Sequence, residues 1–111
     1  MAADYSLESK ITEGKIAIVR NITVDFEQIR ITFENISTKE RKELIFEKVI
    51  EFSMKADCGI NYDPDMDIMA YRTLIGFGRE RLGTIYEYVM KTDDYEFIIK
   101  NLKDVSLIKV V

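Results

Sequence analysis

The sequence predicts a mainly β domain, on three observations. Several short runs alternate apolar and polar residues with period 2. Those runs are rich in β-branched and aromatic residues. Turn-forming clusters separate them at short intervals. The expected architecture is antiparallel, with about six or seven strands in a single sheet, a small barrel or a sandwich. A short N-terminal helix fits the same pattern, which makes β-rich α+β the neighbouring class. At 111 residues the chain is one domain, 1–111, with residues 1–14 as a loose lead-in.

The elements follow in order. Residues 5–11 can form one short helical turn, which Gly14 ends. Residues 15–22 read as the first strand, with Ile16 and Ile18 alternating against Ala17 and Val19. Residues 28–36 give the cleanest alternation: Ile29, Ile31 and Phe33 on one side, Arg30, Thr32 and Glu34 on the other. The polar stretch 37–42 makes a hairpin loop. Residues 43–55 read as one long strand, but Lys48 falls on the parity of Phe46 and Ile50. A β-bulge near Glu47 and Lys48 would turn Val49 inward and repair the pattern.

Residues 56–67 form a loop containing Gly59, Asn61 and the only proline, Pro64. Alternation resumes over 68–77. Gly76, Gly78 and Gly83 then frame Arg79, Glu80 and Arg81 as a charged hairpin tip. Residues 84–90 form the next strand, with Tyr86 and Tyr88 on one side. After a turn at 91–94, Tyr95, Phe97 and Ile99 begin its partner. A turn at 101–104 leads to a short closing strand, 106–111.

Composition excludes several kinds of chemistry. There is no histidine, so an imidazole base, a His-based triad and a His-ligated zinc are ruled out. One cysteine, Cys58, cannot make an internal disulfide. No histidine can activate it, and Asp57 beside it disfavours the thiolate, so it reads as an inert reduced thiol. Apolar residues at 47% place the chain among folded domains rather than disordered ones. The formal net charge of −4 argues against nucleic acid as a partner. No signal peptide and no membrane span are readable, so the expected location is the cytoplasm.

The negative charge is concentrated. Asp57, Asp63, Asp65 and Asp67 lie between Ala56 and Tyr71, with no lysine or arginine among them. The remaining acids equal the bases in number, so this one segment carries the whole formal excess.

Asp63, Asp65 and Asp67 have the spacing of an oxygen-ligated Ca²⁺ loop. Ile68 and Leu74, however, stand where an EF-hand needs glycine and glutamate. An ordinary solvated acidic loop reads equally well. So does a docking surface for a basic partner, with Tyr62 and Tyr71 as flanking anchors. Gly76 and Gly78 superficially suggest a phosphate loop, but Arg81 stands where the third glycine is needed. Glu34 and Glu43 could form an acid/base pair, yet nothing singles them out. The tyrosines and phenylalanines read as core and rim rather than as a base-stacking platform.

Two blocks carry a family resemblance. One is Arg30-Ile-Thr-Phe-Glu-Asn-Ile-Ser-Thr-Lys with Glu43-Leu-Ile-Phe-Glu-Lys-Val-Ile-Glu-Phe. The other is Tyr95-Glu-Phe-Ile-Ile-Lys-Asn-Leu-Lys-Asp-Val-Ser-Leu-Ile-Lys-Val. Together they resemble small β-rich bacterial immunity proteins of polymorphic-toxin and contact-dependent inhibition systems. The resemblance covers about half of the chain and speaks mainly to fold; residues 56–83 match no family motif. It implies a non-enzymatic protein, without cofactor or metal, that occludes a basic toxin domain.

The expected site is therefore Asp57, Tyr62, Asp63, Asp65, Asp67 and Tyr71. Two other readings stay open. One is a structural homodimer that pairs the edge strand 106–111. The other is a Ca²⁺- or ligand-binding accessory domain.

Overall fold

The computed structural model describes residues 4–56, 73–93 and 95–110. One helix, α1 (Ser6–Thr12), precedes eight strands: β1 (Ala17–Asp25), β2 (Gln28–Asn35), β3 (Arg41–Phe46), β4 (Val49–Ala56), β5 (Leu74–Leu82), β6 (Ile85–Thr92), β7 (Tyr95–Asn101) and β8 (Ser106–Val110). They form two four-stranded antiparallel sheets, ordered β1-β2-β3-β8 and β4-β7-β6-β5. The mainly β class holds, and of the arrangements left open the chain takes the two-sheet one. The second sheet is a Greek key: β5, β6 and β7 meander, and β4 lies beside β7.

Both sheets contribute to one core. Ile29, Ile31 and Phe33 of β2 and Leu44 and Phe46 of β3 pack with Phe77, Tyr88, Met90, Phe97 and Ile99 of the second sheet. The period-2 pattern of the sequence is this inward face. Phe46 meets Tyr88 edge-on, with ring centroids 5.0 Å apart. That contact fastens the two sheets face to face and adds about 0.5–1.5 kcal/mol to the apolar burial.

The expected long strand at 43–55 is two strands in different sheets. The parity fault at Lys48 does not mark a bulge within one strand; it marks where the chain leaves the first sheet for the second. Lys48 takes a left-handed conformation, φ 53°, which lets the backbone change direction over a single residue. The Val49 N–H then donates to the Glu27 carbonyl at 2.9 Å. A register shift does follow, between Val49 and Glu51 against β7. Among the described residues this split brings the strand count to eight.

A second correction concerns Arg79, Glu80 and Arg81. They are not a hairpin tip but lie in the C-terminal part of β5, paired with Tyr88, Glu87 and Tyr86. The turn lies beyond them, where Gly83 takes φ 67°. A positive φ is the conformation glycine accepts at least cost. Strand β5 begins at Leu74; the part of the expected strand over 68–72 lies outside the described residues.

The lead-in is more firmly placed than the sequence suggested. Leu7 and Ile11, four residues apart on one face of α1, are buried in the core. The helix ends in a left-handed Glu13, whose N–H donates to the Ser9 carbonyl at 2.8 Å. Lys42 of β3 reaches the Lys10 carbonyl and the Glu13 carboxylate. Its cation thus sits at the negative end of the helix. Buried Asn35 joins the helix to the β2–β3 turn. Its Nδ2 donates to the Thr12 carbonyl at 3.2 Å, and its Oδ1 accepts from the Ser37 and Thr38 N–H groups.

Charge clasps the start of the chain to its C-terminal part. Asp4 forms an isolated backbone bridge with Arg79 at the free edge of β5. The Arg79 guanidinium reaches Asp4 at 2.6 Å and Asp104 at 2.9 Å. The Tyr88 hydroxyl donates to Asp104 at 3.0 Å and accepts from the Val105 N–H at 2.9 Å. Burial pushes the Tyr88 phenol well above its ordinary value. Hydrogen bonds from Ser6 and then Arg79 hold the Asp4 carboxyl down at about 2.

Candidate functional site

Strand register places three rows of side chains across the outer face of the second sheet. The first row runs Glu80, Glu87, Lys100, Glu51. The second runs Gly78, Val89, Ile98, Ser53. The third runs Gly76, Lys91, Glu96, Lys55. An acid-rich row and a mixed, lysine-bearing row thus flank an apolar stripe. Residues i and i+2 share one face of a strand, so Gly76 and Gly78 leave the β5 side of this face without side chains.

A groove of about 390 Å³ occupies that space. Gly76 and Gly78 form its floor, Val89 and Tyr5 its apolar walls, and Glu80, Glu87 and Lys91 its polar lining. Tyr5 arrives there because Asp4 is pinned to the edge of β5, and the residue is 59% exposed. A β-carbon added at Gly76 would meet only the Lys91 Cβ, at 3.8 Å. Packing therefore does not force glycine at that position; the open floor itself is the feature.

The charges along the groove are unevenly satisfied. Glu80 stands directly opposite Glu87, an arrangement that opposes like charges. Glu87 shares one cation: Lys100 Nζ lies 3.7 Å from Glu87 and 3.3 Å from Glu51. Among the described residues Glu80 has no ion pair.

A second groove, of about 290 Å³, opens between the sheets at Val19, Ile22, Met54, Tyr95 and Phe97. Arg20, Asn21 and Thr92 complete its lining. At the β1–β2 hairpin tip Phe26 is 91% exposed, but an isolated apolar side chain at a surface is ordinary.

All six expected site residues, Asp57, Tyr62, Asp63, Asp65, Asp67 and Tyr71, lie outside the described residues, as does Cys58. What the topology adds is connectivity. Their segment joins Ala56 of β4 to Leu74 of β5, and these strands are the two edges of the grooved sheet. The other candidates resolve into structural roles. Arg79 belongs to the clasp with Asp4 and Asp104, and Arg81 lies over the Tyr86 ring at 5.4 Å. Neither presents a free phosphate grip. Glu34 is bound by Arg41 at 3.0 Å and Glu43 by Arg30 at 3.5 Å, so each carboxylate has its own cation. No group of acids that could hold a metal is found among the described residues. No helix among them is long and apolar enough to cross a membrane.

The groove residues Tyr5, Glu80 and Glu87 were not singled out by their sequence context. The available signal was Gly-x-Gly inside a strand, which strips one face of a pleated sheet. It is hidden when the same glycines are taken to frame a turn. Comparison with family models, curated proteins and solved structures finds no match.

Proposed function

We propose that this chain is a non-enzymatic protein-binding domain: an immunity protein that neutralises a bacterial toxin in the cytoplasm by covering a basic surface. The observation that carries the reading is the outer face of the second sheet. It presents a groove lined by opposed carboxylates, on a sheet whose edges are joined by a segment with four aspartates, Asp57, Asp63, Asp65 and Asp67, against one base, Arg72. Complementary charge of this kind speeds encounter and selects partners. The two sequence blocks that resemble immunity proteins agree with it.

The test is a search for a toxin domain encoded beside this chain, co-expression with it, and association kinetics on the purified pair. The chain should protect growth. Replacing Asp63, Asp65 and Asp67 with lysine should slow association by at least about tenfold at low salt while leaving the fold intact. Unchanged association after that reversal places the docking surface elsewhere; failure to protect removes the immunity reading.

A second reading rests on β8, an edge strand of the first sheet that carries a 44%-exposed Ile108. Edge strands invite pairing, so a homodimer through this strand is the alternative. Light scattering at low micromolar concentration separates a dimer from a monomer. The Ca²⁺ reading is tested by a melting shift on adding the ion.

A further inference from the structure

We infer that the groove floored by Gly76 and Gly78 receives one arginine side chain of a basic protein partner. The inference rests on the protein-binding reading and names the group that this surface recognises.

Three features of the groove match a guanidinium and its stem. The first is the floor. With no side chains on the β5 side, an extended aliphatic stem can lie against backbone and against Val89. Glycine in a strand commonly marks such close approach by another chain or ligand.

The second is the acidic end. Glu80 and Glu87 face each other across β5 and β6. Opposed like charges disfavour the unliganded face, and a cation placed between them relieves that cost. The planar fork of arginine can engage two carboxylates at once, which an ammonium matches less well. Lys100, the cation paired with Glu87, is already divided between Glu87 and Glu51.

The third is the aromatic wall. Tyr5 is held at the groove by the Asp4–Arg79 bridge and leaves much of its ring open. A guanidinium stacks on such a ring. The volume of about 390 Å³ falls at the small end of ligand sites, large enough for one long side chain.

The groove also has a direction. Gly76, opposite Lys91, and Glu80, opposite Glu87, lie four residues apart on β5, roughly 13 Å along the strand. Lys91 is therefore at one end and the carboxylates at the other. The incoming residue would set its guanidinium at Glu80 and Glu87 and its backbone carbonyl toward Lys91.

The test is a nitrogen-15 NMR titration of the whole chain with N-acetyl-L-argininamide. Saturable shifts should concentrate on the amides of Gly76, Gly78, Glu80 and Val89. The double substitution Glu80→Gln, Glu87→Gln keeps side-chain shape on a solvent-facing surface and should weaken the titration by at least about fivefold. N-acetyl-norleucinamide, which has a stem but no cation, should give no saturable shift in the groove.

The inference is overturned if the arginine probe causes no localised shifts, if the double variant titrates like the original chain, or if the norleucine probe binds equally. The readout involves no toxin. Its failure removes the arginine-accepting groove and leaves the immunity reading to the growth and association measurements.

Discussion

The two sheets share a core but treat their outward charges differently. On the first sheet, Glu34 is bound by Arg41 and Glu43 by Arg30. On the second, Glu80 faces Glu87, and Glu87 divides one lysine with Glu51. The first face is neutralised locally. The second carries an acidic row that its own residues leave undercompensated. Exposed ion pairs contribute little to stability, so this contrast is weakly constrained by folding.

The contrast can be sharpened by separating what the sheets share from what distinguishes them. The largest effect belongs to the shared core. Phe46→Ala removes the ring that meets Tyr88 and should cost about 3–5 kcal/mol. Chemical denaturation should then show one transition at lower denaturant, with both sheets lost together. Two separated transitions would mean that the sheets are energetically distinct units.

Next comes Asn101, fully buried on the inner face of the second sheet, with no hydrogen-bond partner for either amide atom. It stands between Val49 and Tyr86. Asn101→Leu should stabilise the chain by about 1 kcal/mol, because an unpaired buried amide is costly. A lower denaturation midpoint would show that the amide has a use that leucine cannot supply.

The comparison itself is tested by paired neutralisations. Glu34→Gln removes the partner of Arg41 and should lower the denaturation midpoint slightly. Glu80→Gln relieves a like-charge pair and should stabilise by a few tenths, on the order of 0.3 kcal/mol. Opposite signs support the contrast between the faces; equal signs break it.

The smallest effect is at low pH. Asp4 has its folded-state pKa depressed from 3.8 to about 2. A depressed carboxyl contributes stability above its unfolded pKa and loses it as pH falls through the folded value. The contribution should therefore be complete above about pH 4 and fade as pH falls toward about 2. Asp4→Asn should flatten the stability profile in that window and lower stability by a constant amount at all higher pH, with the difference vanishing below about pH 2.

Much of the fold was legible because apolar alternation is the signal that a two-sheet core reads. Residues 28–36 match β2 almost to the residue, and the helix expected over 5–11 is α1, Ser6–Thr12. The long strand at 43–55 misled because alternation reports which face is buried, not which sheet a residue joins. Lys48 was conspicuous as a parity fault, but one residue cannot say whether a strand bulges or ends. Arg79 and Arg81 misled in a related way. Charge suggested a solvated turn, whereas their side chains are bound by Asp4 and Asp104 and by the Tyr86 ring. The groove was least legible, because it is built by register between strands: Glu80 and Glu87 become neighbours only once β5 and β6 pair.

The passage at Lys48 also bears on the order in which the chain can fold. Neither sheet is complete in sequence order. The first awaits β8 after β1, β2 and β3, and the second pairs β4 with β7 only after β5 and β6 have formed. During synthesis, the β1–β2–β3 meander emerges with its apolar face uncovered until residues 106–110 and the second sheet arrive. Such non-local pairing slows folding and prolongs exposure of sticky edges. A ribosome paused before β7 would therefore hold a nascent chain prone to aggregation.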